Sequence, residues 1–161
     1  FWKAGRNLTV KKVHAQHAID RLHTFYWTRT AHGFPISKII TSEYGVALIL
    51  DNHVNRPGYL TKCIAKAMSS AGLTNPTSWT TKEERKVIQF YLTIRKTFGR
   101  SPMTDAAKRE AATTKYLNQG VISDARGSFQ LGVRTRGMEI GVVPDFVDLS
   151  EYEDIMGTEE E

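Results

Sequence analysis

One stretch constrains this chain more than any other: TSEYGVALILDNHVNRPGY, residues 41 to 59. From Tyr44 to Leu50 it carries no charge and almost no polar atom. A helix that is apolar on every side must be enclosed by other elements rather than laid on a surface. The stretch is therefore expected to be a buried central helix, capped by Thr41 or Ser42, with Glu43 at the positive end of its dipole. Where the apolar run stops, Asp51, Asn52, His53, Asn55 and Arg56 follow in close succession before Pro57 and Gly58 end the helix. Polar side chains gathered at the mouth of a buried helix are the first place to look for function, and Asn52, His53, Asn55 and Arg56 are the candidate substrate contacts.

The elements around this helix can be read from periodicity. Val10, Val13, His17, Leu22 and Phe25 recur at helical spacing, so a first helix is expected over residues 8 to 32, with Asn7 as its N-cap and Gly33 and Pro35 as its stop. Its end carries Phe25, Tyr26 and Trp27, an aromatic group read as core. A loop is expected from 33 to 40. A third helix over about 58 to 71 presents Leu60, Cys63, Ile64, Ala67, Met68 and Ala71 as one stripe, which makes Cys63 a buried small hydrophobe. After the loop 73 to 79, Thr80 and Glu83 form a capping box opening a fourth helix, with Val87, Ile88, Tyr91, Leu92, Ile94 and Phe98 inward. Arg95 falls on or beside that apolar face, where a guanidinium is tolerated only if a carboxylate meets it. A fifth helix is expected to start with Ser101 as N-cap and Pro102 at its first position, and to end at Gly120. The Gly-rich stretch 121 to 143 reads as extended chain, with a hairpin as one form. The fold class is mainly α: about five helices around a buried central one, with a short extended C-terminal segment.

Charge divides the chain in two. Residues 145 to 161 hold eight acids and no Lys or Arg, whereas residues 1 to 144 hold all 22 Lys and Arg against nine acids, a net of +13. We therefore separate a helical domain, 1 to 144, from an acidic and flexible tail, 145 to 161. A field of that sign attracts polyanions and repels polycations. No apolar run approaches the roughly 20 residues of a membrane span. The single cysteine excludes an intramolecular disulfide and a thiolate zinc site. His14, His17, Asp20 and His23 form a tempting metal series, but three-residue steps put His14 and His23 on opposite faces of a helix, leaving at most a two-ligand site at His14 and His17. No metal and no cofactor is expected. The opening Phe1-Trp2, without an initiator Met, suggests a fragment or processed product.

The order of these pieces resembles the C-terminal lobe of family 46 chitosanases and the related lysozyme-like peptidoglycan hydrolases of phage and secretion effectors. The residues that carry the resemblance are FYW at 25 to 27, ALILDNHVNRPG at 47 to 58, Tyr91 and Arg95 in YLTIRKTF, Arg109 and Gly120 in KREAATTKYLNQG, and FQLGVRTRGMEI at 129 to 140. The resemblance implies a glycoside hydrolase of lysozyme or muramidase type acting on a β-1,4-linked amino-sugar polymer. A general acid would protonate the glycosidic oxygen, and a second carboxylate would activate water or attack. It implies further that Asp51, Arg95 and Arg109 form a buried charge network supporting the cleft. An ordinary salt bridge between helices is the alternative reading of the same three residues.

Two departures from the family matter. Its catalytic Glu and Asp lie N-terminal to everything in this chain, so the catalytic residues are expected upstream of Phe1, on a preceding segment or a second chain. In addition, His53 comes early and Asn-Arg-Pro-Gly stands where the family favours His-Gly. Glu43 is the alternative acid, and it lies about 12 Å along the helix axis from Asp51, too far for a catalytic pair. The positive body favours peptidoglycan over chitosan as substrate. That substrate implies secretion or delivery to the periplasm or cell wall, with an inhibitor or immunity protein as a possible partner. The rival expectation is a basic nucleic-acid-binding module using Lys11, Lys12, Arg21, Arg29, Arg126, Arg134 and Arg136, with the acidic tail as competitor. A non-catalytic wall-binding fragment is the third.

Overall fold

A computed structural model describes residues 7–100 and 103–131. The segments 1–6, 101–102 and 132–161 lie outside the described residues, and with them the acidic tail, the Ser101-Pro102 cap and most of the expected hairpin. The architecture is mainly helical, with six α-helices and one two-stranded antiparallel ladder among the described residues. No helix there is long and apolar enough to cross a membrane.

Helix α1 is Leu8–Phe25, opened by the Asn7 side chain, which accepts from the N–H groups of Thr9 and Val10. It ends seven residues earlier than its periodicity predicts. Tyr26 donates its hydroxyl to the Ile40 carbonyl at 2.7 Å. The chain then reverses through His32 and Gly33, both at positive φ, so that β1 (Thr30–Ala31) pairs with β2 (Phe34–Pro35). These long-range bonds replace the expected last turns. Phe25 and Tyr26 are core, as their aromatic character suggests, but Val13 is 61% exposed, and α1 buries only Leu22 and Phe25. The expected loop 33 to 40 contains a short helix, α2 (Ile36–Ile39), whose isoleucines are buried.

Helix α3, Glu43–Asn55, is the central helix. Ser42 caps it, accepting from the Gly45 N–H, and Tyr44, Val46, Leu48 and Ile49 are buried. Gly45 is required by closeness rather than flexibility: a Cβ there would come within 2.6 Å of the Ile40 side chain and 2.8 Å of the Ser42 hydroxyl. Helix α4, Leu60–Ala71, buries all six residues of its stripe and stops at Gly72 in the left-handed region. Helix α5, Thr81–Thr97, carries the expected capping box and packs most extensively on α4.

Helix α6, Ala106–Asn118, begins later than the Ser101 cap implies. Met103 and Ala106 are buried, and Asp105 at φ 53 turns the chain into the helix. Residues 121 to 131 form no strand. They return as irregular chain along the start of α3, where the Ser123 carbonyl accepts from Tyr44 N–H and the Thr41 carbonyl accepts from Phe129 N–H, both at 3.0 Å.

Candidate functional site

Asp51, Arg95 and Arg109, from α3, α5 and α6, meet at the far end of the central helix. Arg109 reaches one Asp51 oxygen at 2.6 Å, and Arg95 reaches the other at 3.4 Å. The sequence reason is register: Asp51 follows the apolar run by one position, so it lies where the helix emerges from the core. Burial is graded across the group, with side-chain exposures of 0% for Arg95, 20% for Asp51 and 41% for Arg109. Arg95 also donates to the Leu48 carbonyl at 3.2 Å and the Ala106 carbonyl at 3.4 Å. A wholly buried guanidinium on α5 is therefore tied to α3 and α6 at once, and its charge is compensated by one carboxylate and two carbonyl dipoles.

Tyr91, one turn before Arg95 and 2% exposed, completes the inner side. Burial raises its pKa and keeps it a phenol. Its hydroxyl stands beside Asn52 and Arg95 yet makes no hydrogen bond of standard geometry, and neither do Asn52 Nδ2 and Arg95 Nε.

The four candidate substrate contacts separate by burial. Asn52 is 1% exposed and His53 5%, so neither side chain reaches a ligand at the surface. The helix continues through them, and their faces point inward. His53 stacks on Phe25 with ring centroids 4.1 Å apart, and its Nδ1 accepts from Arg21 Nε at 3.3 Å. Burial, reinforced by the Arg29 and Arg21 charges, pushes its pKa down to about 4, so it is a neutral ring at pH 7. Asn55 is exposed and donates to the Asp51 carbonyl at 2.7 Å and to its carboxylate at 3.2 Å. Arg56 is half-buried, bonded to the Phe98 carbonyl at 2.7 Å and stacked 4.1 Å from the Tyr59 ring centre. Only Asn55 and Arg56 of the four offer polar atoms outward.

Glu43 is committed elsewhere: its carboxylate accepts from the Ser123 N–H at 2.7 Å and pins the returning segment. The dipole-partner reading fits that position better than the general-acid one. Cys63 is 1% exposed and burial pushes its thiol up to about 11, which removes it as a nucleophile. No group of three His, Cys, Asp or Glu side chains converges to hold a metal ion among the described residues.

A second charged centre was not expected. Glu84, with no exposed surface, lies at the start of α5 and accepts from Thr41 N–H at 2.9 Å, Thr41 hydroxyl at 2.9 Å and Ser42 N–H at 2.8 Å. Arg126 closes on it at 2.5 Å and also donates to the carbonyls of Ile39, Lys38 and Pro76. Arg126 is therefore consumed inside the fold, which removes it from the phosphate contacts expected of a nucleic-acid module. Arg134 and Arg136 lie outside the described residues. The capping box Thr80-x-x-Glu83 involves the neighbouring acid, and the sequence signal for Glu84 is the hydrophobic phase of α5, in which Glu84 precedes Val87 and Ile88 on one face.

No protein-family model, curated protein or solved structure matches this chain.

Proposed function

We propose that this chain is the supporting lobe of a glycoside hydrolase of the lysozyme or chitosanase type, acting on a β-1,4-linked amino-sugar polymer whose best fit is peptidoglycan. The catalytic acid and base would come from residues outside this chain. The observation that carries the reading is the convergence of Asp51, Arg95 and Arg109, at the positions the family resemblance assigns to a cleft-supporting network. In such a site the network's role is positional. Its rigid anchoring of α3, α5 and α6 fixes the cleft wall against which a sugar ring is held, and a fixed wall lets charges on the other lobe act without reorganisation.

The +13 body supports a substrate bearing carboxylates over one bearing protonated amines. The test is release of soluble sugar from purified peptidoglycan and from chitosan, by the full-length protein. Activity on peptidoglycan, reduced at least about tenfold by Asp51→Asn at a temperature where the variant stays folded, supports the reading. Absence of activity on both polymers, or activity indifferent to Asp51→Asn, overturns it. Tight, steeply salt-dependent binding to random-sequence DNA would move the protein to the nucleic-acid class.

A further inference from the structure

Among the described residues, three arginines around the C-terminal end of α3 are held in place without a counter-ion. Arg21 of α1 donates to His53 Nδ1 at 3.3 Å and to the His53 carbonyl at 3.4 Å. Arg29, in the turn before β1, donates to the Pro57 carbonyl at 2.8 Å. Arg56 donates to the Phe98 carbonyl and lies flat on Tyr59. All three side chains are half-buried; Arg21 and Arg29 bond to the two ends of the segment 53 to 57, and Arg56 belongs to it. Among the described residues no carboxylate forms an ion pair with any of them, and Asp51, on the same end of α3, is held by Arg95 and Arg109. The depressed pKa of His53, to which the Arg29 and Arg21 charges contribute, registers the same uncompensated positive potential.

Half-buried guanidiniums lose hydration, and carbonyl dipoles alone compensate less than an anion does. Their geometry is also preset: the carbonyl bonds and the Tyr59 stack orient the planes, so an arriving carboxylate meets donors already fixed.

We infer that Arg21, Arg29 and Arg56 form an anion-binding platform whose occupant is the acidic segment 145–161 of the same chain. Two features choose that occupant. The segment carries eight acids and no Lys or Arg, the complement of the platform. The described chain also runs toward it: Phe129 packs edge-on against Tyr26, with ring centroids 5.5 Å apart, and Tyr26 precedes Arg29 by three residues. From Leu131 to Asp145 the chain spans up to about 45 Å when extended, enough to reach any part of this face. Tethering raises the effective concentration to the millimolar range, so weak individual pairs suffice. The contact makes the segment a built-in competitor for external polyanions. This inference is independent of the proposed hydrolase activity.

The test is a double-mutant cycle read by polyphosphate binding at low salt. Neutralising five of the segment's eight acids (Asp145→Asn, Asp148→Asn, Glu151→Gln, Glu153→Gln and Asp154→Asn together) should tighten polyphosphate binding about tenfold in the otherwise unchanged chain. The same neutralisation in an Arg21→Gln, Arg29→Gln, Arg56→Gln background should change it less than about twofold. If that triple variant fails to fold, Arg29→Gln alone, which loses one carbonyl bond, should cut the gain at least by half. An equal gain in both backgrounds means that net charge, not docking, sets the competition, and overturns the inference; so does no gain in the unchanged chain.

Discussion

Glu84 and Arg126, forty-two positions apart and meeting at 2.5 Å, join the start of α5 to the segment returning past the start of α3. The pair is almost dry, with side-chain exposures of 0% for Glu84 and 18% for Arg126. Glu84 also accepts from Thr41 and Ser42, so one carboxylate holds the residues leading into α3, anchors the returning chain and neutralises a buried cation. Replacing it by Ala leaves Arg126 unpaired inside the fold and should cost about 3 kcal/mol or more, measured by urea unfolding. A loss under about 1 kcal/mol would mean that this junction adds little to stability.

Asp51 should show a graded response. Asp51→Ala leaves the fully buried Arg95 with carbonyls only and should cost about 3 kcal/mol. Arg109→Gln removes a partner that is 41% exposed, and should cost under about 1 kcal/mol because solvent screens that side. Equal losses from both would show that the bracing does not come from the inner arm.

His53 gives stability a pH dependence of known sign. Its pKa is about 4 in the folded chain against an ordinary value of 6.5. At and above neutral pH both states hold a neutral ring. As pH falls below about 6.5 the unfolded chain takes the proton first, so stability declines until the folded pKa near 4 is passed. Unfolding of the unchanged chain and of His53→Gln should therefore be compared at pH 7.5 and pH 4.5. The unchanged chain should lose about 2 to 3 kcal/mol more than the variant over that interval. Parallel losses would mean that His53 is protonated in the folded protein.

What the sequence disclosed and what it hid follow a physical division. The α4 stripe from Leu60 to Ala71 and the Thr80–Glu83 capping box are local patterns, and both stand where periodicity and capping chemistry put them. The end of α1 depends on Tyr26 finding the Ile40 carbonyl and on a reversal at His32 and Gly33, contacts that no window of a helical wheel contains. The burial of Glu84 is hidden for the same reason: TKEE at a helix start describes solvated dipole partners, and Glu83 is one, until residues 41, 42 and 126 close over its neighbour. The apolar face around Arg95 demands an acid, and the resemblance names Asp51, which meets it at 3.4 Å. The inward turn of Asn52 and His53 could not be read, since the helix ends two residues after His53 and either face was open to them.

Gly45 tests how tightly the central helix is seated. Its backbone lies against Ile40 and Ser42 from the preceding turn and Ile88 from α5, and a Cβ would stand 3.0 Å from the Ile88 Cδ1. The Ile88 methyl can rotate away, but the Ser42 hydroxyl cannot retreat without giving up its bond to the Gly45 N–H, which caps α3. In an exposed helix Gly→Ala stabilises by about 0.5 to 1 kcal/mol. Here overpacking and the weakened cap oppose that gain, each on the order of 1 kcal/mol or more. Gly45→Ala should therefore lower stability by about 1 to 3 kcal/mol, whereas Gly45→Ser should lower it further because the added hydroxyl has no room. A Gly45→Ala protein that melts higher than the unchanged chain would mean that α3 is free to shift away from α5, and that the rim carrying Asp51 is not rigidly held.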